Sequence, residues 1–318
     1  MIAHLTRVMI LLQLLTLVFI AALLKQFQAL SSWSLALAVS AVILMLVRAS
    51  IIFQNFFLSG ALHQPCADGH RLRVLAMALM MLREFGFSML CWFRLFPFAR
   101  PYHCHFDGDF SYPVVLLHGY GANSGFWQRL HRRLSADRIS HGAIDLEPVL
   151  GNIESYADRI EEAAKGLLEA NHASSVIVVC HSMGGLAARA WLRRYGHQRV
   201  ARVITLGTPH AGSLLAGYGI GINARQMLPV SAWNSEERHW LSALSASEDS
   251  SVRSLFVSLW SRHDNIVMPQ SSAELGGAKN IGVEGVGHVA LGFDARVLDQ
   301  VMQEISATRR SRLSAGSE

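Results

Sequence analysis

Two long apolar runs stand near the start of the chain. Residues 8–24 (VMILLQLLTLVFIAALL) carry no charge, and residues 33–47 (WSLALAVSAVILMLV) end at Arg48. A helix needs about 20 apolar residues to cross a bilayer, so the pattern predicts an N-terminal membrane hairpin over 1–60. Lys and Arg are more frequent outside the two runs than between them, which favours both ends of the hairpin in the cytoplasm. The alternatives are a secretory signal peptide for the first run, or one span followed by a buried helix.

A third apolar stretch, residues 74–98, is interrupted by Arg83, Glu84 and Arg94. Charges at the centre of a bilayer are costly. We therefore expect a helix that lies in the membrane interface or packs on the following domain, rather than a third span. Region 61–109 is interpreted as an amphipathic helical linker.

From residue 110 the pattern changes to short apolar runs that alternate with helical periodicity. Repeated strand–helix units predict a mostly parallel sheet with helices on both faces, within a domain over 110–306. A polar tail over 307–318 is expected to be disordered. The predicted strands lie within 114–119, 139–148, 174–180, 199–209, 251–261 and 280–286, and the predicted helices within 124–134, 153–168, 186–195 and 292–306.

Composition supports a membrane-attached protein. Hydrophobic residues make up 51% of the 318 residues and charged residues only 16%, which is a charge-poor balance for a soluble protein. The net charge is +5, but the basic residues form no block with interleaved aromatics, so nucleic acid is not an expected partner. Anionic lipid headgroups would suit the arginines that follow the apolar N-terminal region. These are Arg71, Arg73, Arg83, Arg94 and Arg100.

The segment 174–195 reads SSVIVVC, HSMGG, LAARAWLRRY. It predicts a buried strand, a tight turn and a helix that begins at once, with Ser182 at the apex. Such a turn strains the backbone of the serine and exposes its hydroxyl above the sheet. Cys180 replaces the first glycine of a G-x-S-x-G pattern, and a small side chain is compatible with that position. The alternative is a serine–glycine turn that only links a strand to a helix.

A nucleophilic serine needs a base, and the base needs an orienting carboxylate. Asp264 follows the predicted strand 251–261, and His288 follows the next strand. Loops after parallel strands converge at one edge of the sheet, so the sequence predicts the catalytic set Ser182, Asp264 and His288. The backbone N–H groups of Tyr120 and Met183 are the expected donors to the oxyanion.

Together these segments resemble the α/β-hydrolase superfamily and, within it, bacterial triacylglycerol lipases and related esterases. The resemblance covers 110–306. It implies that Ser182 is the nucleophile, that His288 is the base with Asp264 as its partner, and that no cofactor is required. The residues that carry it are VVLLHGYG (114–121), VVCHSMGGLAAR (178–189), VITLGTPHAGS (203–213), SRHDNIV around Asp264 and GVGHVAL around His288.

The segment 211–250 is rich in apolar residues and precedes the next predicted strand. A lipase needs an apolar lid over the acyl groove, so this segment is interpreted as a lid or cap, with a permanently packed cap as the alternative. The expected contacts with an acyl chain are Phe126, Trp127, Leu214 and Leu215.

The sequence therefore predicts a serine hydrolase of carboxylic esters, with lipid esters as the expected substrates, anchored in a bacterial inner membrane with its catalytic domain in the cytoplasm. No obligate protein partner is expected. His103, Cys104 and His105 lack a second pair of ligands, so no metal site is predicted. Two alternatives are open: acyl transfer with the same three residues, and a non-catalytic binding protein of the same fold.

Overall fold

The computed structural model describes residues 1–61, 72–107, 112–229 and 238–315. Helices α1 (Ile2–Gln26) and α2 (Trp33–Ala61) are joined by a short turn and pack against each other. Most of their large apolar side chains are exposed, as expected of surfaces that face lipid. Within the described residues, three helical segments are long and apolar enough to cross a membrane: Ile2–Gln26, Trp33–Ala61 and Val74–Phe98.

The third of these segments packs on the domain that follows it. It consists of α3 (Val74–Leu90), a π-helical turn and a short 3₁₀ turn that ends at Phe98. Cys91, Leu95 and Phe96 are buried in the same hydrophobic cluster as Val114 of the sheet. One face of this segment is therefore part of the protein core.

A seven-stranded sheet lies at the centre of the described chain, and its strands run in the order β1-β3-β2-β4-β5-β6-β7. Every neighbouring pair is parallel except β1 and β3. The mostly parallel sheet confirms the predicted fold class, and β1 is the one strand that the hydrophobic pattern did not predict. The strands are β1 (Tyr102–Cys104), β2 (Val114–Leu117), β3 (His141–Ile144), β4 (Val176–His181), β5 (Val200–Leu206), β6 (Phe256–Ser261) and β7 (Lys279–Val283).

Helices cover both faces of the sheet. Successive residues of a strand point to opposite faces, so the apolar strands need a covering layer on each side. Val115 and Leu117 pack in one hydrophobic cluster, while Val114 and Leu116 pack in the other. The residues from Tyr102 onward that build and cover the sheet are called the sheet domain below. Its helices are α4 (Gln128–Ala136), α5 (Ala157–Asn171), α6 (Met183–Tyr195), α7 (Ile222–Gln226), α8 (Arg238–Ala246), α9 (Ser250–Ser254) and α10 (Ala295–Ala315).

The last helix corrects one prediction. The tail from residue 307 was expected to be disordered, but α10 continues to Ala315. Polarity alone does not stop a helix, whereas Gly and Pro do. Neither residue occurs between Ala295 and Ala315, and Gly316 is the first to follow.

Candidate active site

Ser182 lies in a strained turn between β4 and α6. Its φ and ψ are 53° and −127°, a conformation that non-glycine residues rarely adopt and that is frequent at functional sites. The turn also needs small neighbours: a methyl group on Gly184 would lie 2.5 Å from the carbonyl oxygen of Leu117. Cys180 is fully buried at the end of β4, so the turn forms with cysteine at the position where the G-x-S-x-G pattern has glycine.

The loops after β6 and β7 bring an acid and a base together. His288 donates a hydrogen bond from Nδ1 to Oδ2 of Asp264 at 2.8 Å. The other carboxylate oxygen of Asp264 accepts hydrogen bonds from the backbone N–H groups of Ile266 and Val267, both at 2.8 Å. The carboxylate is therefore fixed, and it holds the imidazole in the tautomer that leaves Nε2 unprotonated.

The same backbone segment connects this pair to the serine turn. The N–H of Ser182 donates to the carbonyl of Leu206 at 2.9 Å. A methyl group on the next residue, Gly207, would lie 3.1 Å from Oδ2 of Asp264 and 3.2 Å from Nδ1 of His288. The structure thus brings Ser182, Asp264 and His288 to one edge of the sheet.

Electrostatics favour a protonatable His288. Burial disfavours the imidazolium ion, but the Asp264 carboxylate outweighs burial, and the more distant carboxylate of Glu84 adds to its effect, so that the pKa of His288 is raised above its usual value. All three of Ser182, Asp264 and His288 are buried, with Ser182 only 7% exposed. In this conformation the Ser182 side chain is covered.

His181, which precedes Ser182, contacts the loop of His288. Its Nε2–H donates to the backbone carbonyl of His288 at 3.1 Å, and its ring stacks on Phe126 with 4.2 Å between the centroids. Burial, together with the nearby His288, holds the pKa of His181 well below its usual value. His181 is therefore a neutral hydrogen-bond donor that helps to position the loop of His288.

The two backbone N–H groups that the sequence predicts as oxyanion donors, those of Met183 and Tyr120, belong to segments beside Ser182. The N–H of Met183 is the first of α6, and the first N–H groups of a helix have no partner within the helix. Tyr120 follows Gly119, where a methyl group would lie 2.8 Å from Cβ of Ser182. The Tyr120 hydroxyl donates to the carbonyl of Ile220 at 2.7 Å and accepts from its N–H at 3.0 Å, so this loop is tied to the segment after β5.

The residues predicted to contact an acyl chain lie in two different environments. Phe126 and Trp127 are almost completely buried in the core, where Phe126 packs between His181 and Phe293. This placement differs from the predicted groove, since buried core rings present no surface to a ligand. Leu214 is exposed and Leu215 is half-buried, and both lie in a helical turn, Leu214–Tyr218, that precedes α7.

The segment predicted as a lid is anchored at its far end. Arg189 of α6 forms a fully buried, two-pronged ion pair with Glu248, at 2.6 and 2.9 Å. Near its start the segment carries four large, exposed apolar side chains, and Leu150 lies beside them, since its carbonyl accepts a hydrogen bond from the N–H of Ile222 at 3.1 Å. These side chains define the exposed apolar patch: Leu150, Leu214, Tyr218, Ile220 and Ile222. Val230 and Trp233, which belong to the predicted lid, lie outside the described residues.

Glu84 of α3 is a site residue that the sequence did not reveal. Its Oε1 accepts a hydrogen bond from the N–H of Val289 and its Oε2 accepts one from Ala290, both at 2.8 Å. The side chain is 1% exposed and binds the two residues that follow His288. In the sequence, Glu84 stands out only as a carboxylate within an apolar stretch. That pattern indicates that residues 74–98 do not form a regular membrane span, but it does not indicate what the carboxylate binds.

In the described part of the chain, one group of side chains has the donor types of a metal site. Cys104, His131 and His141 bring their ligand atoms within 4.8 Å of one another. The two imidazoles already share a hydrogen bond of 2.8 Å, with Nδ1–H of His141 donating to the carbonyl of Ile139 at 2.7 Å. This group lies at the β1–β3 edge and includes neither His103 nor His105, the other members of the sequence triplet.

Comparisons with known proteins agree with this geometry. A model of the α/β hydrolase family matches residues 114–259. A triacylglycerol lipase of Pseudarthrobacter phenanthrenivorans is 32% identical over 115 residues, which cover 34% of this chain and 36% of that protein. A pimeloyl-[acyl-carrier protein] methyl ester esterase of Vibrio cholerae is 40% identical over 76 residues, which cover 24% of this chain and 29% of that protein. The chain thus spans about a third of the length of these curated relatives.

A solved structure shows the same fold. The mature form of a lipase from Bacillus licheniformis superimposes with a TM-score of 0.53 at 18% identity, over 65% of this chain and 97% of that chain. The part of this chain outside the superposition is about the size of its N-terminal helical region.

Proposed function

We propose that this protein, whose fold resembles that of lipases and esterases, is a membrane-anchored serine hydrolase of carboxylic esters. The observation that carries the proposal is the hydrogen bond between His288 and Asp264 beside the strained turn of Ser182. A merely structural serine turn would need neither the strain nor a buried acid–base pair at the same edge of the sheet.

The geometry supports an acyl-enzyme mechanism. The Ser182 hydroxyl attacks the ester carbonyl while Nε2 of His288 takes its proton, and Asp264 stabilises the imidazolium ion that forms. The N–H groups of Tyr120 and Met183 bind the oxyanion. The alcohol leaves with the proton from His288. Water then attacks the acyl-enzyme with His288 as the base, and the carboxylic acid is released.

Lipid esters are the substrate class that the surface favours. The exposed apolar patch lies beside Tyr120, to which Ile220 is hydrogen-bonded. Exposed apolar side chains near a covered serine suit a site that opens at a lipid interface. In this proposal the segment from Leu214 to Ile222 is the mobile part of the lid, and the part near Glu248 stays anchored.

The contacts of the helical hairpin support one membrane orientation. Ile2, at the start of α1, is buried in a core cluster of the sheet domain. Near the end of α2, the carbonyl of Ser59 accepts a hydrogen bond from Gln270 at 3.3 Å. Both outer ends of the hairpin therefore contact the sheet domain, so two spans would place it on their side of the membrane. The distribution of Lys and Arg favours the cytoplasm as this side.

Labelling with a fluorophosphonate probe tests the proposal. We expect the full chain in detergent to be labelled and the Ser182→Ala variant to remain unlabelled while keeping its fold. Wild-type protein should also hydrolyse p-nitrophenyl esters, and the preferred acyl length would define the groove. A folded wild-type protein that is neither labelled nor active, with or without added lipid, would contradict the proposal.

A further inference from the structure

We propose that Glu84 is a positioning residue for His288, and that docking of the N-terminal helices on the sheet domain therefore sets the reactivity of the site. This inference rests on the function proposed above. It assigns the helical region a part in catalysis in addition to anchoring.

The contact between Glu84 and the loop of His288 is close and specific. Each carboxylate oxygen accepts one backbone N–H, from Val289 and from Ala290, at 2.8 Å. Hydrogen bonds to a charged acceptor are stronger than those between neutral groups. Gly287 leaves the necessary space, since a methyl group there would lie 2.5 Å from Oε2 of Glu84.

His288 is held from several directions, and one of them comes from outside the sheet domain. Its side chain is fixed by Asp264, its N–H donates to Oδ1 of Asn265 at 3.0 Å, and its carbonyl accepts from His181. These three groups all belong to the sheet domain. Glu84 holds the following two residues from α3. Without α3, the buried N–H groups of Val289 and Ala290 would lose their acceptor, and the loop would have to shift to find another.

A second contact reaches the acid. Nε2 of Gln270 donates both to the carbonyl of Ser59 in α2, at 3.3 Å, and to the carbonyl of Asp264, at 3.2 Å. Ser59 and Gln270 are both buried. The loops of the base and of the acid are therefore each connected to an N-terminal helix, α3 in one case and α2 in the other.

The charge of Glu84 should affect the pKa of His288, and this is an effect that a purely anchoring role of the helices would not produce. The titratable groups that face His288 are Asp264, Glu84 and His181, and the Cys91 thiol lies near Glu84 on the same helical segment. Burial raises the pKa of Glu84 to about 7, against the opposing effect of its two backbone N–H donors and of His288. Where the Glu84 carboxylate is ionised, its negative charge near the imidazole favours the charged form of His288. A Glu84→Gln variant keeps the volume of the side chain but loses this charge and one of the two acceptors.

The experiment compares kcat, KM and the pH dependence of kcat/KM for the full-length wild type and Glu84→Gln in detergent. We expect kcat to fall between about 10- and 100-fold with little change in KM, the size of effect that a displaced catalytic group produces. The base must be neutral, so activity rises with pH through the pKa of His288. Glu84 is ionised mainly above about pH 7, and there the loss of its charge lowers the pKa of His288. The acidic limb should therefore move to lower pH in Glu84→Gln.

Glu161→Gln is the matched control. Glu161 is also a buried carboxylate, and it accepts hydrogen bonds from Trp191 and Arg199 on the face of the sheet that α5 and α6 cover. Its substitution should lower the thermal stability without moving the pH profile. Gly287→Ala is the second test variant: its methyl group should displace the Glu84 carboxyl group and reproduce the loss in kcat while the glutamate itself is kept.

An unchanged kcat and pH profile in Glu84→Gln, or a loss of thermal stability alone as in Glu161→Gln, would overturn the proposal. If Glu84→Gln does not fold, an unchanged kcat in Gly287→Ala would overturn the proposal.

Failure of the proposed function is a separate result, because it is measured on the wild type alone. In that case NMR titration of ¹³C-labelled histidines, with the His288 signal assigned by its loss in His288→Ala, still tests the contact. A His288 pKa that is the same in wild type and Glu84→Gln would contradict it.

Discussion

At the scale of single residues, the Asp264 carboxylate has two distinct tasks. Oδ2 orients His288, while Oδ1 is held by the N–H groups of Ile266 and Val267. In Asp264→Asn, the amide oxygen would keep the two backbone bonds and the amide nitrogen would face Nδ1 of His288. The imidazole would then carry its proton on Nε2 and could not accept the serine proton.

We therefore expect Asp264→Asn to lower kcat on the order of 10³- to 10⁴-fold with little change in KM. Steady-state kinetics on a soluble ester, with circular dichroism as the control for folding, would measure the effect. Loss of less than about tenfold, in a folded variant, would show that Asp264 does not orient the base.

The raised pKa of His288 sets the direction of the pH dependence. Burial opposes the imidazolium ion, but Asp264 and Glu84 together favour it, so His288 stays protonated to a higher pH than an ordinary histidine. In the proposed mechanism, the neutral form of His288 is the base. The plot of kcat/KM against pH should thus fall on the acidic side, with a midpoint above the usual histidine value of about 6.5. A midpoint below that value would contradict this assignment.

At the scale of secondary structure, the turn after β4 depends on close backbone approach. A methyl group on Gly184 would meet the carbonyl of Leu117 at 2.5 Å, and backbone cannot move aside cheaply. We expect Gly184→Ala to lower the free energy of unfolding by about 1–3 kcal/mol and to reduce activity. Gly166→Ala is the control, because Gly166 lies inside α5 with no atom within 4 Å of an added methyl group. Denaturant titrations should find that change neutral or stabilising.

The elements that could be predicted are those with a strong periodic pattern. The apolar strands around Val114, Val178 and Val203 lie where the sequence placed them, since both faces of a parallel sheet are buried. The edge strand β1 could not be found, because Tyr102–Cys104 has no apolar run and is defined by its pairing with β3. The sequence also places Phe126 in a ligand groove, because an aromatic side chain is equally suited to a groove and to a core. The stacking of Phe126 on His181, which assigns it to the core, depends on the folded structure and is not visible in the sequence.

At the scale of the whole molecule, the sequence could predict that Ser182, Asp264 and His288 lie at one edge of the sheet, because each of them follows a strand. The hydrogen bond between Glu84 and Val289 could not be predicted from the sequence. It joins residues 205 positions apart, on elements whose relative placement is set by packing. The hydrophobic pattern of residues 74–98 is equally compatible with a span and with a helix on the domain surface. The buried contacts of Cys91, Leu95 and Phe96 are the observations that connect this stretch with the core.

The exposed apolar patch predicts how the whole molecule should respond to a lipid surface. Tyr218 and Ile220 are 83% and 71% exposed and stand beside the loop of Tyr120. If the segment from Leu214 to Ile222 opens into lipid, these side chains lose contact with water, and each contributes about 1.5–3 kcal/mol when fully buried. Replacing both by serine should raise the apparent KM for an ester presented in vesicles by at least about tenfold. Hydrolysis of a soluble short-chain ester should stay within about twofold of wild type, because neither side chain has a part in the proposed chemical steps. Equal losses on both substrates would instead indicate that the patch is a fixed part of the fold, and unchanged activity on vesicles would indicate that it does not meet lipid at all.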